Sequence, residues 1–188
     1  MDGASRAATL GVAALLVIGA TAVCEAQPSQ SSSVAKQMVA AMQASHLDAI
    51  AARDPEAPNR YIAALVFPES QLLVVSAPAP APAALDEALS RGQYRDVYTA
   101  LQQASIKVGK LFVQDLGCDG LQPNGDGTAD VVYQNVTKQT IFDGNWKRQH
   151  LSADEYQQRF GDVDAQYSRM LTALLAATET APHQPETR

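Results

Sequence analysis

Apolar and polar positions alternate along this chain in two distinct periods, and the change from one to the other outlines the fold. Val34, Met38 and Met42, flanked by Ala35 and Val39, recur every four residues, which predicts an amphipathic helix from Val34 with Ser33 as its cap. From Leu47 the helical spacing is lost. Leu47–Ala51 reads as a strand, and Asp54–Asn59, with Pro55 and Pro58, as a loop. Tyr61–Phe67 and Gln71–Ser76 are short apolar runs joined by Pro68-Glu69-Ser70, the pattern of a tight antiparallel hairpin. Their nearly unbroken hydrophobicity predicts a strand pair covered on both faces.

Ala77–Ala83 alternates Ala and Pro, which forbids helix and strand ladder alike and predicts an extended connector. Two helices are expected next, from about Pro82 to Gly92 and from Gln93 to Ala104, the second with Tyr94, Val97, Tyr98 and Leu101 on one face. Lys110–Leu116, Asp130–Val136 and Gln139–Phe142 read as further strands, separated by the Gly- and Asp-rich loop 117–127 and by a turn at Thr137-Lys138. Ser152 and Glu155 form a capping box. After it, Tyr156, Phe160, Val163, Tyr167, Met170, Leu171 and Leu174 share one face of a long terminal helix, which Gly161 weakens locally while allowing close packing on the sheet. The expectation is one α+β domain: a largely antiparallel sheet of about six strands, flanking helices and a long C-terminal amphipathic helix.

The first 26 residues stand apart. Arg6 precedes an uncharged run, Ala7–Ala22, that is short for a hydrocarbon core needing roughly 20 residues but suits the apolar stretch of a signal peptide. Cleavage is expected after Ala22 or Ala26. Lipidation of Cys24 and an uncleaved anchor are the alternatives. This reading divides the chain into a signal peptide (1–26), a polar tether (27–33), the domain (34–177) and a disordered tail (178–188), and places the domain in the periplasm or outside a bacterial cell. The whole chain has 188 residues and a net charge of −6. That acid excess argues against a nucleic-acid partner, and no basic cluster larger than Lys147-Arg148 offers an anionic membrane surface a contact. Cys118 alone is certain to remain after cleavage, so the domain depends on its core rather than on a disulfide framework.

Candidate chemistry is sparse. Asp115, Asp119, Asn124, Asp126 and Asp130 in and beside this loop resemble a calcium loop only superficially. With Gly127 at the obligatory glycine position, Gln122 and Tyr133 occupy ends that need acids; with Gly120 there, Gly117 and Pro123 fall where ligands belong. The loop therefore reads as one in which glycines supply positive φ and acids bond their own backbone. Cys118 lacks a recognisable base, since His46 and His150 carry no flanking signature, and the scattered histidines have no zinc spacing. Asp162 and Asp164, two apart on a helix, point away from each other and read as a solvated face. No catalytic or metal-ligating residue is assigned. Tyr61, Trp146 and Asp119 are the candidates for lining a ligand pocket, Trp146 because it follows the Asp143-Gly144-Asn145 turn and has an amphipathic ring.

The order helix, three strands, two helices, three strands, helix resembles the flavin-binding split barrels related to pyridoxamine-phosphate oxidase. The hairpin Tyr61–Ser76, the helices after it and the strand Lys110–Leu116 carry the likeness, about half the chain. The resemblance implies FMN as a cofactor and a flavin-linked oxidoreductase. Arg60, Lys107 and Lys110 are basic residues near strand starts but do not reproduce the family's phosphate-binding pattern. The chain is also similar to secreted bacterial proteins, which implies export and no mechanism. Taken from the residues, the expected function is non-catalytic binding of a small ligand or a protein partner.

Overall fold

The computed structural model describes residues 29–67, 71–78, 111–124, 129–135 and 138–180; for 77, 78, 135, 138 and 180 it describes the backbone only. Helix α1 (Gln30–Ala44) leads into strands β1 (Ala49–Arg53), β2 (Arg60–Phe67) and β3 (Gln71–Pro78). Strands β4 (Phe112–Leu116), β5 (Asp130–Asn135) and β6 (Lys138–Phe142) follow, then a 3₁₀ turn (Trp146–Gln149) and helix α2 (Ala153–Thr180). The expected α+β architecture is present. All six strands form one sheet in chain order, each antiparallel to its neighbour.

The register sorts the side chains. Ile50, Ile62, Ala64, Leu72, Val74, Val113, Val132 and Phe142 share one face with the buried side of both helices and make the main core. On the other face Tyr61, Ala63, Leu65, Leu73, Val75 and Phe112 are buried too, as the unbroken hydrophobicity of β2 and β3 predicts. Helix α2 matches its expected face residue for residue: all seven apolar positions are buried. Each removes apolar surface worth about 1.5–3 kcal/mol, so this stripe fixes α2 against α1 and the sheet. Phe142 meets Tyr156 and Phe160 edge-on, with centroids 5.6 and 5.3 Å apart. The capping box closes as expected: the Glu155 amide donates to the Ser152 hydroxyl at 3.2 Å and the Ser152 amide to the Glu155 carboxylate at 2.8 Å. The Ser152 amide and hydroxyl, both donating to it, hold the Glu155 carboxyl below its ordinary range.

Several boundaries differ from expectation. Helix α1 begins at Gln30, not Val34, so Ser33 lies inside it and Ser29–Ser33 belong to the fold rather than to a tether. Ser29 makes no capping bond with its side chain; the helix start is satisfied by Asp164 instead. Strand β1 is shifted two residues, to Ala49–Arg53. Strand β3 continues through Ala77 and Pro78, paired with Tyr61 and Arg60, so the Ala-Pro alternation does not end the ladder where it begins. Pro at the last strand position loses only one ladder donor. Helix α2 runs to Thr180, and Thr178, expected in the tail, is buried. The signal peptide and Cys24, the helices expected over 82–104 and residues 181–188 lie outside the described residues. No described helix is long and apolar enough to cross a membrane.

Gly161 does not serve close packing. A Cβ built there has nothing within 4 Å. Glycine in a helix interior is worth about 0.5–1 kcal/mol less than alanine. Gly161→Ala is therefore expected to raise the urea midpoint by an amount equivalent to about 0.5–1 kcal/mol. A lowered midpoint would mean that the glycine has a packing role after all.

Candidate functional site

The strand ends and helix ends that carry polar side chains gather beside the turn after β4. Gly117 (φ 110°), Cys118 (φ 58°) and Gly120 (φ 86°) all have positive φ, so the chain reverses sharply there. A left-handed conformation at a non-glycine residue such as Cys118 costs about 1–2 kcal/mol. The reversal is held by Asp115, which accepts the amides of Asp119 (3.2 Å) and Gly120 (3.0 Å) and the hydroxyl of Tyr167 on α2 (2.9 Å). Asp130 on the adjacent strand accepts the amides of Leu116 (3.0 Å) and Gln122 (2.8 Å). Both carboxyls are fully buried on the core face of the sheet. Asp115 and Asp130, at the strand ends that flank the loop, thus accept its backbone amides, while Asp126 lies outside the described residues. No group of three or more His, Cys, Asp or Glu side chains suited to a metal ion occurs among the described residues.

A third buried carboxyl lies one layer away. Asp164 on α2 accepts the amides of Gln30 (2.6 Å) and Ser31 (3.1 Å) and the Ser31 hydroxyl (2.5 Å), while the Ser31 oxygen accepts the Leu121 amide at 3.0 Å. One side chain on α2 therefore caps α1 from outside and reaches, through Ser31, the loop beyond Gly120. The solvated face expected for Asp162 and Asp164 holds only for Asp162; Asp164 is buried.

Burial raises Asp115 to about 6, opposed by its hydrogen bonds from Tyr167 and Gly120 and reinforced by nearby Asp119. Burial likewise raises Asp130 to about 8, opposed by the Gln122 and Leu116 amides and reinforced by Asp115. The unfolded chain has these groups near 3.8. The folded state therefore binds protons that the unfolded state has already released. Their contribution to stability is complete below about pH 4 and is lost as pH rises through 6 and then 8. The urea midpoint is expected to fall between pH 5 and pH 8, and Asp130→Asn, which cannot ionise, to flatten the upper part of that fall. A midpoint that climbs over this interval, or an unchanged slope in the variant, would contradict the assignment.

The open concavity of this region lies on the other side of Cys118. A cleft of about 690 Å³ is bounded by the last two turns of α1, the segment leading into β1, the end of β2 and the Gly117-Cys118 corner. Val39, Ala40, Leu47, Val66 and Phe67 supply apolar wall; Lys36, Gln43, His46 and Asp48 supply a polar, exposed rim. The mouth is shaped by the end of α1. His46 takes φ 53°, its amide donates to Gln43 O (3.1 Å) and the Leu47 amide to Met42 O (2.8 Å). That is a Schellman stop, with His46 where glycine is usual. Two non-glycine residues in the left-handed region, His46 and Cys118, thus border one cleft, and such positions concentrate at functional sites.

The cleft does not assemble a nucleophile. Burial, reinforced by the charges of Asp115 and Asp119, pushes the Cys118 thiol up to about 12, which keeps it protonated at neutral pH. No hydrogen bond joins His46 to Cys118 among the described residues. The residues present do not suit an FMN phosphate either. Among the described residues lining the cleft Lys36 is the one Lys or Arg, and the helix presents its carbonyl end, where the dipole disfavours anions. Of the basic residues near strand starts, Arg60 donates to Ser76 (2.5 Å), and Lys107 and Lys110 lie outside the described residues.

The three residues expected to line a pocket do not meet in this cleft, nor in a smaller cavity of about 220 Å³ between the β1–β2 loop and α2. Tyr61 is buried on the opposite face of the sheet. Trp146 packs against the core edge at the start of the 3₁₀ turn, with the Lys147 ammonium 5.1 Å from its ring centroid. Asp119 sits inside the β4–β5 turn, one residue beyond the cleft wall. Comparison of the chain with family models, curated proteins and solved structures finds no match.

Proposed function

We propose that the protein is a non-catalytic binding domain, exported from a bacterial cell, whose cleft between α1, β2 and the Gly117-Cys118 corner takes a small amphipathic molecule. The observation that carries the reading is the cleft itself. Its size lies within the 300–1,000 Å³ usual for ligand pockets, and its apolar wall and polar rim follow the ordinary division of labour in such sites. The protonated thiol and the commitment of Asp115 and Asp130 to backbone amides support binding over catalysis. Export rests on the apolar stretch Ala7–Ala22 and its small flanking residues.

The neutral fluorophore Nile red tests the site. It is expected to brighten and shift to the blue with the wild-type protein, and to lose about tenfold in affinity, roughly 1.4 kcal/mol, with Ala40→Trp. Ala40 is an exposed position on the cleft wall, so the indole fills the space without entering the core. Equal binding by the variant, or no binding by either protein, removes the reading. Detection of full-length protein with its N-terminus intact in the cytosol removes export and leaves the cleft untouched.

A further inference from the structure

The two edges of the sheet are finished differently. At β6 the Gln149 side chain, from the 3₁₀ turn, lies along the strand: its Oε1 accepts the Ile141 amide at 2.9 Å and its Nε2 donates to the Ile141 carbonyl at 2.6 Å. One side-chain amide takes the place of a seventh strand and closes that edge to further pairing.

At β1 the described residues include no equivalent. The Val66 amide donates to Asp48 O (2.9 Å) and the Asp54 amide to Arg60 O (3.1 Å). In an antiparallel ladder these bonds alternate, so the even residues of β1 turn their peptide groups towards β2 and Ala49, Ala51 and Arg53 turn theirs outward. No partner for those outward groups occurs among the described residues, and Ala51 and Arg53 are exposed. The strand pairs with β2 over five consecutive residues without a bulge and contains no Pro; among the described residues a single charge, Arg53, is its only defence. Two acids bracket it. Asp48 and Asp54 fall on the same side of the ladder, six positions apart, whereas Arg53 falls on the other side.

We propose that β1 is an acceptor edge for strand addition, and that its partner is an extended peptide with two cationic side chains six residues apart and β-branched residues between them. Backbone bonds to Ala49, Ala51 and Arg53 supply the pairing; Asp48 and Asp54 set register by opposing the two cations. A second copy of the chain is a poor occupant, because two β1 strands centred on Ala51 would place Asp48 of each opposite Asp54 of the other. The edge shares Asp48 with the rim of the cleft, but Ala49, Ala51 and Arg53, whose backbone supplies the pairing, do not line it.

The full chain, labelled with nitrogen-15, tests this with the peptide acetyl-Lys-Val-Thr-Val-Thr-Val-Lys-amide. The amides of Ala49, Ala51 and Arg53 are expected to shift and to gain at least about tenfold protection from exchange, while β6 does not change. A peptide with Glu in place of both Lys should bind about tenfold more weakly. Ala51→Pro should abolish binding with little loss of fold stability, since its amide donates to nothing within the sheet. Should that variant be unstable, the wild-type protein with a peptide N-methylated at alternate residues gives the same readout. The proposal is overturned by protection at β6 instead of β1, by equal affinity for the Lys and Glu peptides, by undiminished binding to Ala51→Pro, by no binding at millimolar peptide, or by protection of β1 through concentration-dependent self-association.

Discussion

Gly120→Ala is expected to destabilise the protein by about 3 kcal/mol or more. Two independent penalties coincide there. At φ 86° a side chain is strained whatever the space around it. The added Cβ would also lie 2.5 Å from both Cα and N of Ser32 and 2.7 Å from the Ser31 carbonyl carbon, all of them backbone. No rotamer change relieves such a contact, so the loop must lift off the first turn of α1. Lifting it breaks the Leu121 amide bond to Ser31 and pulls Asp115 from its two loop amides. Urea unfolding measures the effect, with Gly161→Ala as a comparison expected to move the other way. A midpoint equal to that of the wild type would mean that the loop does not rest on α1 as described.

Much of this was legible in the chain, and the physical reason is periodicity. Helix α2 could be read to the residue because seven apolar side chains repeat at helical spacing behind a capping box, and β2–β3 because two unbroken apolar runs are joined by three turn residues. The start of α1 was not legible, because Gln30–Ser33 are polar and their helical state depends on a cap more than 130 residues away, on α2. The cleft was not legible either. Its walls come from α1, β2 and the β4–β5 turn, and its mouth depends on left-handed conformations at His46 and Cys118, residue types that do not advertise them. Trp146 is a pocket candidate for its amphipathic ring, yet such rings close core edges as readily as they line pockets, and Trp146 packs against the core while Tyr61 is buried on the opposite face of the sheet. Asp164 did leave a signal. It stands four residues after Phe160, three before Tyr167 and seven before Leu171, so helical spacing puts it on the apolar face. A carboxyl on that face implies a buried partner, and the partner is the N-terminus of α1.

That placement makes Asp164→Ala the most informative polar substitution. The carboxylate accepts two backbone amides and a hydroxyl, and α1 has no side-chain cap of its own at Ser29. Loss of a cap costs about 0.5–2 kcal/mol, and leaving the buried Ser31 hydroxyl without its acceptor adds about 1 kcal/mol or more, so a total near 3 kcal/mol is expected. Asp164→Asn keeps one acceptor and should lose about half as much. Asp162→Ala, two residues away and exposed, should fall within about 0.5 kcal/mol of the wild type. The decisive measurement is a double-mutant cycle with Ser31→Ala. Ser31 donates to Asp164 and accepts from Leu121, so it belongs to the α1 start and to the Gly120 loop at once. If one network joins the helices to the loop, the two losses will be non-additive by at least about 0.5 kcal/mol, and the Gln30 and Ser31 amides will exchange faster in either single variant. Additive losses, or an Asp164→Ala variant as stable as Asp162→Ala, would reduce the contact to a surface hydrogen bond and would detach the corner that walls the cleft from the helix pair beneath it.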